Sequence, residues 1–431
     1  MMRMRTKSIT LGLAACTALV LGSTVLFSTA LLSTTSNRTE APVAHALQIT
    51  VDKPLDKAPN KRSRSKTVRA ALDWLVRHQK KDGSWSCDNY ITDCADPKKP
   101  CQHQHPAYTD GRGFTGYDPG VTALALWAFV SAGHTHTGGN AKYRPTVLAA
   151  KSYLVGQQTK SEEPKTNGFL GHTTAEEAIY NHAIATVALG ELLYKSKDPD
   201  PEFRACVERA VAYCLEARND GYAWKYDFRS GKNDTSVTGW MVRAIVVGEK
   251  CAKRKFITID PAKVAEAKKG AVSWLNRVTS AKSGITGYQS PGDPGASLRA
   301  AYPEPYPYSK DPSAMTAAAV ACHLACGADR GDTALQQSAS YLVRELPEWK
   351  LAKGKRQSKV NLYYWYYGTH ALEQFGGKPW KAWRSAIKQA LVPSQCVGGC
   401  EDGSWDPIGE WGAAGGRVYS TAMSVIVLEG V

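Results

Sequence analysis

The sequence predicts an all-α fold: six helical hairpins closed into an α6/α6 toroid, each giving one helix to an inner ring and one to an outer ring. Three observations carry this. An amphipathic helix with an aromatic-aliphatic pair recurs at Trp74-Leu75, Tyr153-Leu154, Tyr213-Cys214, Trp274-Leu275 and Tyr341-Leu342, with a weaker sixth copy from about Trp383 to Leu391. Between these copies lie segments rich in Ala, Thr and Leu, starting near Thr122, His182, Thr238, Thr316, Thr369 and Thr421, at spacings of 60, 56, 78, 53 and 52 residues. They lack a polar face, as inner-ring helices packed on all sides must. The last of them, Thr421 to Leu428, stays apolar where an open solenoid would place a polar cap, so it is expected to close against the first repeat.

Ahead of the repeats, Arg3, Arg5 and Lys7 precede a charge-free run from Ile9 to Leu32. That run is longer than a signal-peptide core of about 7–15 residues and reaches the roughly 20 residues of a membrane span. Residues 1–34 therefore read as a signal anchor or signal peptide, with the positive flank cytoplasmic and the rest of the chain exported. Leu13-Ala14-Ala15-Cys16 offers a lipoprotein alternative and Ala44-His45-Ala46 a cleavage site. Residues 35–66, first Ser/Thr-rich and then Pro- and Lys/Arg-rich, read as a flexible basic linker, and residues 67–431 as the toroid. Ten cysteines follow Cys16, an even number that suits disulfides in an oxidising compartment. Cys206 and Cys214, eight apart on one helix, are too far apart to bond to each other, and Cys322 and Cys326 read as buried thiols.

The net charge of +15 raises the question of nucleic acid, but the basic residues are scattered and no nucleic-acid motif accompanies them. They read as solvated helix faces, and no nucleic-acid partner is expected.

The first repeat carries the most informative stretch, Arg69 to Trp85. Its helix should stop at Asp82-Gly83, since glycine accepts the left-handed backbone that closes a C-terminus. Gln79, about a turn from the helix end, is placed to bridge open backbone groups, and Trp85 to stack back on the helix. Gly83-Ser84-Trp85 recurs as Gly221-Tyr222-Ala223-Trp224 and as Gly403-Ser404-Trp405. The pattern Arg69, Ala70, Trp74, Leu75, Gln79, Gly83, Trp85 resembles the QW repeat of squalene-hopene and oxidosqualene cyclases. It places residues 67–431 beside the terpenoid cyclase and protein prenyltransferase toroid superfamily. In that family the motif ties outer helices together and does no chemistry.

The resemblance also says where an active site would be sought. Hopene cyclases protonate an alkene with an Asp-x-Asp-Asp motif at the start of an inner helix. The matching stretch is Asp118-Pro-Gly-Val, where Gly120 and Val121 replace the donor and its partner. Asp234-Thr-Ser-Val and Asp311-Pro-Ser-Ala have the same shape. An acid before a helix is first an N-cap, so Asp118, Asp234 and Asp311 are read as caps, with catalysis the alternative. No Asp-x-Cys leads into an inner helix with a later His, as prenyltransferase zinc binding implies, and the Gly-Cys-Gly-Glu-Gln thioester motif is absent.

Tyr180-Asn181-His182 opens the second inner helix and could serve a carbohydrate-active toroid, with His182 as base, although a helix-start histidine is more often structural. The aromatic run Asn361 to His370 enters the fifth inner helix and should face the axis in part. Candidate pocket residues are Tyr117, Trp240, Tyr364 and Tyr367. Cys87, Cys94, Cys101, His103 and His105 share one loop and match zinc ligands by type, but their spacing fits no tight knuckle, so disulfides are favoured and no metal or cofactor is expected.

The function expected from these residues is a ligand-binding or structural module lacking the cyclase proton donor. Two alternatives stay open: a divergent cyclase or transferase acting on an isoprenoid such as squalene, and a carbohydrate-active toroid. The expected partners are an isoprenoid or other apolar ligand and, through the N-terminal anchor, the membrane. The oligomeric state is left open.

Overall fold

A computed structural model describes residues 60–95, 113–171, 178–293, 313–350, 359–409 and 411–431. The N-terminal segment, Cys101, His103, His105 and Asp311 lie outside the described residues. Among those described there are twelve α-helices, and extended pairing is confined to isolated bridges at Gln158–Leu170 and Thr279–Thr286. No helix among them is long and apolar enough to cross a membrane.

The even-numbered helices form the inner ring: α2 (Asp118–Ser131), α4 (Ala178–Ser196), α6 (Thr235–Lys253), α8 (Ser313–Ala325), α10 (Leu362–Phe375) and α12 (Gly412–Glu429). Each packs on its two neighbours, and α12 closes on α2. The composition dictates the placement. In α2 every residue from Pro119 to Val130 is buried, leaving no face for water.

The odd-numbered helices form the outer ring: α1 (Arg64–Arg77), α3 (Arg144–Gly156), α5 (Pro201–Glu216), α7 (Pro261–Arg277), α9 (Thr333–Arg344) and α11 (Gly377–Ser394). They bury one stripe each, as α1 does with Thr67, Val68, Ala71, Leu72, Trp74 and Leu75. The predicted aromatic-aliphatic pairs lie on these helices.

Two boundaries differ from the expectation. The folded part begins by Asn60, inside the predicted linker, because that stretch is tied to the far end of the chain. Asn60 Nδ2 donates to Gln395 Oε1 (3.0 Å), Arg62 pairs with Asp402 (2.7 Å), and Arg64 donates to the carbonyls of Leu428 and Val431 at the end of α12. The inner helices also begin about a turn or more before the predicted threonines. Those threonines mark the depth at which the loops lean on the helices, not the first turn.

The glutamine clamp repeats around the outer ring. Gln79 Nε2 donates to Gly83 O and to Thr146 O on α3, both at 2.9 Å. Gln158 does the same with Gly168 O and Cys206 O on α5 (3.2 and 2.8 Å). The tryptophans fold back as expected: Trp85, Trp224 and Trp405 donate through Nε1 to Leu75 O, Cys214 O and Leu391 O at 2.8–2.9 Å. Glycine is required at Gly83 and Gly403 for two reasons. Both have positive φ (91° and 98°), and a Cβ there would sit 2.3 and 2.1 Å from the carbonyl oxygens of Ala149 and Ala70 on the next outer helix.

The cysteines meet the disulfide expectation only at Cys400 among the described residues. Cys87, Cys94, Cys206, Cys214, Cys251, Cys322 and Cys326 are free thiols. Cys400 is disulfide-bonded, to a partner outside the described residues. Cys87 is buried beside Asp118, whose carboxylate occupies its surroundings in place of a second sulfur.

Candidate functional site: the apolar mouth of the inner ring

Five of the six inner helices carry a side chain that receives the loop before them. Thr122 Oγ1 accepts from Trp85 N–H (3.0 Å), Thr316 Oγ1 from Thr286 N–H (3.1 Å) and Thr421 Oγ1 from Trp405 N–H (3.3 Å). Thr238 meets Trp224 N–H at 3.5 Å, whereas Thr369 of α10 accepts from Trp383 Nε1 of α11, the helix that follows it (3.0 Å). His182 holds the same place in the second repeat: its Nδ1 accepts from Leu170 N–H at 3.0 Å. These side chains point outward from the axis.

On a helix, residues two before and two after a position lie about 200° away, on the opposite face. Gly120, Tyr180, Ser236 and Tyr419 stand two before this position, and Leu124, Ile184 and Trp240 two after it. All seven line one cavity at the N-terminal mouth of the inner ring. Tyr117, Val121, Asn181, Tyr363, Trp411, Ala414 and Gly415 complete the wall, so every inner helix except α8 contributes described lining residues. The empty space is about 650 Å³, part of it open to solvent.

The wall is apolar apart from Asn181 and a chain of hydroxyls. Ser236 Oγ lies 2.9 Å from Tyr180 Oη and 3.0 Å from Tyr363 Oη, so these groups satisfy one another instead of facing the cavity unpaired. Asn181 donates to Gly116 O (2.8 Å). Deeper along the axis the rings close up. Trp240 stacks on Tyr366 (5.2 Å, 10°), Tyr367 meets Trp240 edge-on (5.7 Å), and Trp127 meets Tyr366 edge-on (5.5 Å). The axis is therefore an aromatic plug with a cavity above it, not a continuous tunnel.

Among the predicted pocket residues, the structure puts Tyr117 and Trp240 on the cavity wall. Tyr367 belongs to the plug beneath it. Tyr364 turns away from the axis: its hydroxyl donates to Leu342 O and Glu345 O, and its ring stands edge-on to Trp383 of α11. Four consecutive helix positions spread over about 300°, so one residue of a run of rings must face outward.

The acids behave differently from one another. Asp234 is the N-cap of α6, accepting from Val237 N–H at 2.7 Å, as predicted. It is wholly buried, and burial pushes its carboxyl up to about 7 against the opposing pull of the Val237 amide and Lys225. Such a group can hold or release a proton near neutral pH, but it is not among the lining residues. Asp118 is not the cap of α2. It is the first residue of that helix and accepts from Cys87 N–H at 2.7 Å, pinning the loop that precedes it, and burial raises its carboxyl.

His182 is fully buried. Its Nε2 lies 3.3 Å from Cys214 Sγ, its ring stacks on Phe169 (5.0 Å), and burial pulls its pKa down to about 3. With both nitrogens engaged inside the wall it has no route to a substrate.

No protein-family profile and no curated sequence matches this chain. Solved structures do. The α-1,6-mannanase GH76A of Salegentibacter sp. HEL1_6 is 12% identical with a TM-score of 0.53, over 85% of this chain and 98% of that one. An α-amylase from Clostridium perfringens is 10% identical with a TM-score of 0.51, over 85% and 97%. A type II terpene cyclase from Scytonema, in complex with geranylgeranyl dihydroxybenzoate, is 13% identical with a TM-score of 0.49, over 85% and 96%. The chain is an α/α toroid, a fold that it has in common with the mannanase and the amylase.

Proposed function

We propose that this toroid is a binding module that takes an isoprenoid or similarly apolar ligand into the mouth of its inner ring. The observation that carries the reading is the cavity wall, made of aliphatic and aromatic surface with the hydroxyls of Tyr180, Ser236 and Tyr363 paired among themselves. Burying apolar ligand surface there gains about 25 cal/mol per Å². A sugar would have to surrender its hydration to a wall that offers few free partners. Among the described residues no carboxylate lines the cavity. In this reading the N-terminal segment anchors the exported module to a membrane, which brings the cavity close to membrane-dissolved ligands.

A carbohydrate ligand is the second reading. Trp240, Trp411 and Tyr117 present ring faces on which sugars can stack, and the mannanase and amylase named above act on glycans. Titration of intrinsic tryptophan fluorescence distinguishes the two. The first reading predicts saturable quenching by squalene or geranylgeraniol in detergent and none by α-1,6-mannan or α-glucan oligosaccharides. The reverse pattern would replace it with the second.

A further inference from the structure

Three soft donors converge where the last repeat meets the first. Cys400 Sγ lies 3.2 Å from His78 Nε2 and 3.3 Å from Cys94 Sγ, and the three donor atoms fall within 4.8 Å of one another. They come from separate stretches: the C-cap of α1, the loop that follows it, and the loop after α11.

The histidine is oriented as a ligand would be. It is buried, stacked on Trp74 at 4.2 Å, and its Nδ1 lies 2.8 Å from Trp74 O. A carbonyl oxygen only accepts, so Nδ1 carries the ring proton and Nε2 presents a lone pair to the sulfurs. Metal-bound histidines are set in this way by a second-nitrogen hydrogen bond to a backbone carbonyl. Two sulfurs and one imidazole nitrogen suit a borderline-soft divalent cation, zinc above all. Bonds of about 2.3 Å to sulfur and about 2.0 Å to nitrogen hold tetrahedral ligands about 3.5–3.8 Å apart. The Cys400–His78 and Cys400–Cys94 separations would each need to widen by less than about 0.5 Å.

We propose that His78, Cys94 and Cys400 form a redox-gated site for zinc or a similar divalent cation, stapling the first repeat to the last. The gate is the disulfide of Cys400. A dithiol reductant supplies two electrons and two protons, the S–S bond becomes two thiols, and the reductant closes to its own cyclic disulfide. Cation binding then releases the thiol protons of Cys94 and Cys400 to solvent, while His78 Nε2 contributes a lone pair with no proton loss.

The test uses the full chain, reduced with dithiothreitol under anaerobic conditions, desalted, and titrated with Co²⁺ as a spectroscopic stand-in for Zn²⁺. The proposal predicts a single equivalent with thiolate-to-metal charge-transfer absorption, bleached by Zn²⁺, and a rise in the melting temperature of the reduced protein on adding Zn²⁺. Cys94→Ser, a partly exposed position, should lose both the absorption and the Zn²⁺-dependent rise. Cys326→Ser, just after α8 and away from the proposed site, should keep them. Equal uptake by the reduced wild type and Cys94→Ser would overturn the site. Equal uptake by the unreduced protein would overturn the gate.

Discussion

Gln395 Nε2 donates to the carbonyl oxygen of Thr67 at 2.8 Å, across 328 residues of sequence, while also donating to Gly403 O at 2.8 Å. This is the same double bond that Gln79 makes to Thr146 and Gly83 one hairpin apart, and that Gln158 makes to Cys206 and Gly168. The sixth hairpin treats the first as its successor. That equivalence is the closure of the ring, expressed in one side chain.

Gln395→Leu should therefore destabilise the toroid at least as much as Gln79→Leu does, since Gln395 also accepts from Asn60. Each leaves buried carbonyls unpaired, a cost of about 1–3 kcal/mol. Urea denaturation of the two variants checks this. A loss at Gln79 with none at Gln395 would mean that the seam contributes nothing to closure.

Trp85 is fully buried and both packs and donates. Trp85→Ala should cost about 3–5 kcal/mol, as large aromatic truncations in cores do. Trp85→Phe, which keeps most of the volume and drops the bond to Leu75 O, should cost about 1–3 kcal/mol. Neither change should alter ligand affinity at the mouth. Normal stability of Trp85→Ala would remove the clamp role.

Asp234 and His182 make opposite contributions to the pH dependence of stability. Asp234 goes from 3.8 in the unfolded chain to about 7 in the fold, so the native state holds its proton more tightly. Its contribution is fully present below about pH 4 and is lost as pH rises through about 7, at up to about 1.4 kcal/mol per pH unit. Asp234→Asn keeps the cap and removes this slope. The variant should match the wild type near pH 3–4 and exceed it progressively above that, by up to about 4 kcal/mol at pH 8. Equal stability at both pH values would show that the carboxyl ionises freely.

His182 runs the other way. Its pKa falls from 6.5 to about 3 in the fold, so its contribution is present above pH 6.5 and is lost as pH falls towards 3. His182→Thr installs the residue found at the five equivalent helices and should fold, with a weaker loss of stability on acidification. His182→Leu leaves Leu170 N–H unpaired and should cost about 1–3 kcal/mol. Urea midpoints at pH 5 and 7 separate these outcomes, and a steeper acid loss in His182→Thr would contradict the assignment.

Much of the ring was legible because it is written in periodicity. Trp74, Tyr153, Tyr213 and Trp274 marked outer helices, and the run of threonines with His182 among them marked the inner ones. The cavity was hidden in the same register. Gly120, Tyr180, Ser236 and Tyr419 share a position relative to those threonines, but they share no chemistry, so only the geometry of a closed ring gathers them. Tyr364 was misplaced because a run of rings shows aromatic content without showing which ring faces inward. Asp118 was misread because a carboxylate before a helix can serve the loop behind it as well as the helix ahead. The seam contacts of Asn60, Arg62 and Arg64 lay inside a stretch whose composition is that of a linker. Their partners are more than 300 residues away, where no local pattern reaches.

The central claim is that the mouth of the inner ring holds an apolar ligand. Ile184 lines it and faces the axis, so Ile184→Trp should fill it while leaving the clamps intact. Wild-type and Ile184→Trp proteins, purified from the same membranes and solvent-extracted, would be compared by mass spectrometry for co-purifying isoprenoid lipid. The account predicts a stoichiometric isoprenoid in the wild type and at least a tenfold loss (an order-of-magnitude figure, about 1.4 kcal/mol) in the variant at equal thermal stability. Equal lipid in both, or none in either after incubation with squalene, would contradict it.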